Sequence, residues 1–209
     1  MNDSRTMTNT PKLLKARQMH SRLFAVAVVM ILLFCTPMMT KGAFPRECML
    51  WLGYVLVAIG VMGRIYCSAF IGGRKNDEVV REGPFSVVRN PLYVFSFVAM
   101  VGIGLQSGMV ILLVLLVAAF VCYYPMVVAK EEAFLSHKFG EPYAQFMREV
   151  PRWLPNLKLW KEPEEVVAKP KFIRRTMLDA MIFFLPMPCF AVVHALHTYG
   201  VLPIWLILP

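Results

Sequence analysis

Charge is what this chain has least of. Charged residues fill 17% of its 209 positions, against about 25% in soluble domains, and Asp and Glu together number only 13. The five cysteines are scattered without a pairing pattern or metal-ligand spacing, which excludes a disulfide scaffold and a cysteine-built metal site. No glycine-rich loop follows a strand pattern, so the soluble nucleotide-binding folds are excluded. Internal repeats and paired interrupted spans are missing, which removes the support for a transporter. What fills the chain is apolar: 58% hydrophobic residues with 15 Phe, and a mean hydropathy of +0.58. That much apolar material excludes a disordered chain and points to an integral membrane protein.

The apolar runs set the expected spans. Leu23–Met39 is 17 residues without a charge behind a basic leader, residues 1–22. No small-x-small site closes it and Phe34 precedes Cys35, so a retained first span is expected rather than a cleaved signal. Cys48–Ile71 is the second, with Arg64 in its last third. A charge at the bilayer centre costs about 2.5–3.5 kcal/mol on insertion scales. Arg64 either snorkels to the near interface or faces a polar cavity, and the sequence leaves both open. Leu92–Leu105 and Met109–Ala129 are joined only by Gln106-Ser107-Gly108, so they form an antiparallel helical hairpin. The second of these rises about 31 Å as a helix, enough to cross the hydrocarbon core. The last apolar region, 177–209, can span to about Thr198, and Val201–Pro209 is expected in the interface. The sequence thus predicts one all-α membrane domain, residues 1–209. It would have about five transmembrane helices, a polar catalytic-type region at 77–155, and a linker plus C-terminal span at 156–209.

Basic residues orient it. The leader, the loop at 72–91 and the segment at 130–176 hold 5, 4 and 10 of the 22 Lys and Arg. Only Lys41 and Arg46 fall on the other side. This positive-inside asymmetry puts the N-terminus and both polar segments in the cytoplasm. It also accounts for the basic balance, so nucleic-acid binding loses its support. Short loops favour a bacterial inner membrane. The sequence carries no signal of oligomeric state.

Two polar segments flank the hairpin. The first runs from Arg81 through Gly83-Pro84-Phe85 to Arg89-Asn90-Pro91-Leu92-Tyr93. Gly83-Pro84 is a turn signal and Pro91 suits a first helical turn. Arg89 and Tyr93 also fit a membrane boundary as a charge anchor and a belt aromatic. The second is Lys130-Glu131-Glu132, whose acidic pair reads, alone, as a solvated charge pair. Leu135, Phe139, Tyr143, Phe146 and Val150 then recur at steps of four, four, three and four, an amphipathic stripe broken at Gly140 and restarted by Pro142. By itself the stripe reads as packing on the membrane surface or on the ends of the spans. Gly102 and Gly104 suit close helix packing. His194 and His197 share a helix face without a third ligand, so they read as structural and no metal is expected.

Taken together, Gly83-Pro84-Phe85, Arg89-Asn90-Pro91-Leu92-Tyr93, Glu131-Glu132 with Leu135, Phe139-Gly140-Glu141 with Tyr143, and Val150-Pro151 resemble the isoprenylcysteine carboxyl methyltransferase family. The phosphatidylethanolamine methyltransferases look like relatives with the same two blocks. The resemblance covers roughly 77–155. It implies a membrane-embedded methyltransferase that uses S-adenosylmethionine at the cytoplasmic face and methylates a lipid-like or isoprenylated acceptor, on a carboxylate or an amine. Carried over by position, it implies cofactor contacts from Val80, Arg81, Glu82, Gly83, Pro84 and Phe85, from Asn90, Pro91, Leu92 and Tyr93, and from Glu131. Glu132 and Arg89 would be catalytic, Glu132 as a general base where the acceptor is an amine.

Two positions depart from the family pattern. Its His in the Arg-His-Pro block is Asn90 here, which keeps a donor and an acceptor but cannot carry charge. A family Arg about one turn before the first Glu falls on Val127, leaving Lys130 or Arg152 to meet an acceptor's negative charge. Those departures favour the alternative of a non-catalytic lipid-binding or scaffold protein that keeps the fold.

Overall fold

The structure is a computed structural model, and it describes residues 26–40, 42–74, 77–166 and 168–209. Within them the chain is mostly helical. Helix α1, residues 26–34, runs into a three-residue strand, β1 (Cys35–Pro37). The start of the expected first span and the basic leader lie outside the described residues. Helix α2 (Phe44–Ile71) has 28 residues, about 42 Å of helix. A proline in its first turn, where no N–H is needed, and Glu47, whose Oε1 accepts from the Gly42 amide at 3.1 Å, start it. A four-residue helix α3 (Pro84–Val87) precedes the hairpin of α4 (Pro91–Gln106) and α5 (Val110–Phe139). Helix α6 (Glu141–Glu149) follows at once. An extended stretch leads to α7 (Pro170–Met181), a 3-10 turn (Ile182–Phe184), α8 (Pro186–Thr198) and a last strand, β2 (Leu206–Leu208).

The all-α membrane architecture holds, with fewer full spans than the five expected. Three helical stretches among the described residues are long and apolar enough to cross a membrane: Phe44–Ile71, Val110–Phe139 and Pro170–Thr198. Helix α4 has 16 residues, about 24 Å, short of the roughly 30 Å hydrocarbon core. It is carried by α2 instead. A Cβ on Gly60 would lie 2.6 Å from the Ala99 Cβ, and one on Gly63 2.1 Å from the Phe95 ring. In lipid, helices gain little from burying apolar surface against each other, so such backbone approach is what holds the pair. Gly102 and Gly104 pack in the same way, against Gly53 and Leu113. The C-terminal stretch closes on this pair, with Ala180, Phe183 and Phe184 meeting Val57 and Val61. Trp51, Val55, Ile59 and Met62 on α2, and Val114 and Val121 on α5, are exposed. Those are the faces a bilayer would cover.

The tail beyond Thr198 does not lie alone. Strand β2 pairs parallel with β1, Cys35 opposite Leu206, and Trp205 stacks on Phe34 with ring centroids 4.0 Å apart. His197 Nε2 lies 2.8 Å from the Leu33 carbonyl, so it ties α8 to α1.

Candidate functional site

Two backbone seams bring the polar segments together at one end of the hairpin. The Arg89 amide donates to the Pro151 carbonyl at 2.9 Å, and the Asn156 amide to the Val87 carbonyl at 2.9 Å. The Gly83 amide donates to the Lys161 carbonyl at 2.8 Å, and Lys161 N to the Ser86 hydroxyl at 3.0 Å. Gly83 has φ of +54°, and a Cβ there would sit 2.4 Å from the Phe70 ring. No other residue fits that turn without strain. It buries Phe85 against Cys67, Phe70 and Val80.

Between the seam and the hairpin lies a cavity of about 240 Å³. Its floor is the start of α4, with Asn90, Pro91, Leu92 and Tyr93, and its far wall is Glu131 on α5. Arg89, Val80 and Phe85 line the loop side. The amphipathic stripe forms the roof: Leu135, Phe139, Tyr143 and Phe146 all line the cavity, and Tyr143, Phe146 and Val150 pack with Val79. The sequence alone reads this stripe as packing; the signal for more is that its apolar steps resume in α6 after the break at Gly140. Glu78, Ile71 and Arg64 complete the lining.

The two adjacent glutamates do different things. Glu131 lines the cavity and accepts a 3.0 Å hydrogen bond from the Tyr93 hydroxyl. Glu132 does not line it and is 4% exposed. One of its oxygens lies 3.1 Å from Arg89 Nη1 and accepts from Asn90 Nδ2 at 3.4 Å. The other is held by Arg152 Nη2. That hydrogen bond raises the pKa of the Arg152 guanidinium. The Tyr143 phenol is pushed up to about 12, first by burial and then by the negative charge of Glu132. The general-base part expected of Glu132 is corrected accordingly: both oxygens are engaged by cations and the residue does not line the cavity.

Other expected contacts are rearranged. Arg81 pairs with Glu149 at 3.5 Å and donates to the Pro142 carbonyl. Glu82 lies 3.4 Å from Arg74 Nη1, so it braces the loop. Gly83 and Pro84 shape the turn without lining the cavity. Lys130 is exposed and outside it, and Arg152 is engaged by Glu132, so neither expected substrate cation faces the cavity. Arg64 and Arg89 do.

The chemistry of the lining suits a ligand of mixed character. A carboxylate faces cationic or hydroxyl groups, a guanidinium faces an anion, and aromatic and aliphatic walls cover a flat ring. The donor set therefore fits S-adenosylmethionine, which has one group of each kind.

A helical hairpin with a charged cavity at one end, roofed by an amphipathic helix, defines an integral membrane protein with a candidate site at the end of the hairpin. Residues 49–142 match the phospholipid methyltransferase family. The chain is 32% identical over 158 residues to the nickel-cobalt-cadmium resistance protein NccN of Alcaligenes xylosoxydans xylosoxydans, covering 76% of this chain and 74% of the relative. It is 31% identical over 142 residues to the cobalt-zinc-cadmium resistance protein CzcN of Cupriavidus metallidurans, covering 68% of this chain and 65% of that protein. No solved structure matches it. The chain belongs to the phospholipid methyltransferase family, the membrane methyltransferases that include the isoprenylcysteine and phosphatidylethanolamine types.

Proposed function

We propose that this protein is an S-adenosylmethionine-dependent methyltransferase that modifies a lipid-like acceptor at the cytoplasmic face of a bacterial inner membrane. The observation that carries this reading is that one cavity gathers Arg89, Asn90, Tyr93 and Glu131 from the two sequence blocks that carry the family resemblance. S-adenosylmethionine, when bound, supplies an electrophilic methyl on a cationic sulfur. Glu131, oriented by the Tyr93 hydroxyl, holds a cationic or hydroxyl-bearing part of the cofactor. Arg89, fixed by Glu132, faces its carboxylate. Phe85 and Tyr93 offer ring faces, and the stripe from α5 and α6 excludes water. These are contributions of orientation and desolvation, which an in-line displacement needs most.

With Glu132 engaged on both oxygens, the site favours an acceptor that is already a nucleophile, such as a carboxylate. The relatives' names concern metal resistance. We place any part this chain has in such resistance in membrane chemistry. Among the described residues, no group of three His, Cys, Asp or Glu could hold a metal ion.

The test is calorimetric titration of S-adenosylmethionine into detergent-purified protein beside Glu131→Ala and Tyr93→Ala, followed by transfer of labelled methyl into membrane lipid extracts. Micromolar binding, lost in both variants, and a labelled lipid product are expected. A folded wild type that binds no cofactor, with or without added lipid, returns the fold to a non-catalytic lipid-binding role.

A further inference from the structure

One side chain fastens the roof. Arg81, from the loop before α3, reaches three positions on α6. Its Nη2 donates to the Pro142 carbonyl, its guanidinium stands 5.7 Å from the Phe146 ring centroid, and Nη1 lies 3.5 Å from Glu149. These positions step by four and three, so they follow one side of the helix from its first turn to its last. The ends of α6 are held differently. At the first stands Gly140, which closes α5 and opens α6 with φ of +60°, and a Cβ there would meet nothing within 4 Å. At the second, the Arg89 amide bonds the Pro151 carbonyl. A glycine in open space between two helices is a joint that can absorb a large backbone change.

Two volumes argue that this roof moves. The cavity under it, at about 240 Å³, is smaller than the roughly 300–1,000 Å³ of small-molecule sites. A ligand therefore needs space that the roof must yield. A second cavity, of about 320 Å³, lies beside the Arg81–Glu149 pair, lined by Arg81, Ser86, Glu149, Val150, Leu159 and Lys161. Packed interiors leave a side chain no such room to shift; here Arg81 and the end of α6 have it. The fastening is also made of weak parts. It consists of a partly exposed ion pair, one hydrogen bond and one cation–π contact.

We propose that Arg81 is a positioning residue, a latch that keeps α6 shut over the cavity and sets how fast a ligand enters and leaves. This deepens the S-adenosylmethionine reading of the cavity and rests on it. Opening separates Arg81 from Pro142, Phe146 and Glu149 together and swings α6 about Gly140. The latch is built from the chain's own groups, so its loss speeds entry and departure alike. A group that held the cofactor itself would show the other signature, a faster departure with entry unchanged.

Hydrogen–deuterium exchange and rapid-mixing fluorescence test it on the full chain in detergent, with Arg81→Gln, Arg81→Lys and Glu149→Gln. The exchange arm needs no ligand. In Arg81→Gln the amides of residues 140–150 are expected to exchange about tenfold faster, with those of α4 and the middle of α5 unchanged. Association and dissociation rates of S-adenosylmethionine should both rise about tenfold, with the affinity kept within about threefold. Arg81→Lys keeps the charge and should fall between. Glu149→Gln cuts the ion pair from the other side and carries the test if Arg81→Gln fails to fold; a smaller rise at the same amides is expected. Unchanged exchange at 140–150 in both Arg81→Gln and Glu149→Gln overturns the latch. So does faster exchange spread evenly through the hairpin, which makes Arg81 a general support. A rise in the dissociation rate alone gives Arg81 to the cofactor and overturns the latch as well. A wild type that binds no S-adenosylmethionine, with exchange at 140–150 still quickened in Arg81→Gln, keeps the latch and overturns the methyltransferase reading alone.

Discussion

Glu131 and Glu132 are neighbours on α5 and serve opposite environments: the first lines the cavity under the Tyr93 hydroxyl, the second is buried between Arg89 and Arg152. About 100° of helix rotation between successive residues separates them. The two are therefore separable by mutation. Glu131→Gln is expected to weaken S-adenosylmethionine binding tenfold or more and leave the thermal midpoint nearly unchanged. Glu132→Gln strands two guanidinium groups. The expected loss of stability is ~2–3 kcal/mol, below the ~3–5 of a fully buried pair, because Arg152 is 40% exposed. Calorimetry and thermal denaturation in detergent read the two effects. Equal loss of stability in both variants would remove the division of labour.

Tyr93 reaches Glu131 from another helix, and its hydroxyl donates to the carboxylate at 3.0 Å. Tyr93→Phe keeps the ring and removes one hydrogen bond to a charged acceptor, worth about 1.5–3 kcal/mol in general. Because Tyr93 is only half-buried, a loss at the low end is expected, roughly tenfold in cofactor affinity. Tyr93→Ala, which also removes the ring, should lose more. An affinity in Tyr93→Phe equal to wild type would show that Glu131 needs no such partner.

Gly83 is set by backbone and space together, with φ of +54° and the Phe70 ring 2.4 Å from any Cβ. Gly83→Ala should cost at least ~1–2 kcal/mol and displace Phe85 from the cavity wall. The expected signature is a lower thermal midpoint together with weaker cofactor binding. The neighbouring Pro84→Ala, which keeps the turn's glycine, should show much less of either.

How much of this is legible in the sequence follows from what kind of signal each part leaves. The hairpin announces itself through apolar runs and a three-residue link, and the two motif blocks through their residue types. The roof is half legible. Leu135, Phe139, Tyr143 and Phe146 have a clear helical period, but period says which face is buried and not what it covers. Arg64 is legible only as an oddity, since its partner groups, the Leu92 carbonyl and Ser96 hydroxyl, come from another helix. The same holds for Arg152, whose pairing with Glu132 depends on the backbone seam between Arg89 and Pro151. The pairing of Leu206–Leu208 with Cys35–Pro37 joins segments far apart in sequence, and three-residue strands leave no period to read. The span count differs where apolar composition is the guide: α4 has the composition of a span without its length.

Tyr143 gives a pH test of the roof. Its phenol is 4% exposed, and burial followed by the charge of Glu132 pushes its pKa up to about 12 from the ordinary 10.0. Below pH 10 the group is neutral whether the chain is folded or not, so it contributes no pH dependence there. Between pH 10 and 12 the unfolded chain releases a proton that the folded one keeps, so folding stability must fall as pH rises through that window. The loss approaches ~2–3 kcal/mol at its upper end, since each tenfold change in proton affinity is worth about 1.4 kcal/mol. Tyr143→Phe has no proton to release. Its thermal midpoint should run parallel to that of wild type up to about pH 10 and decline less steeply above it. Should the two curves stay parallel to pH 12, the phenol titrates normally and the roof over the cavity is wetter than the packing of Tyr143 with Phe146 and Val79 requires.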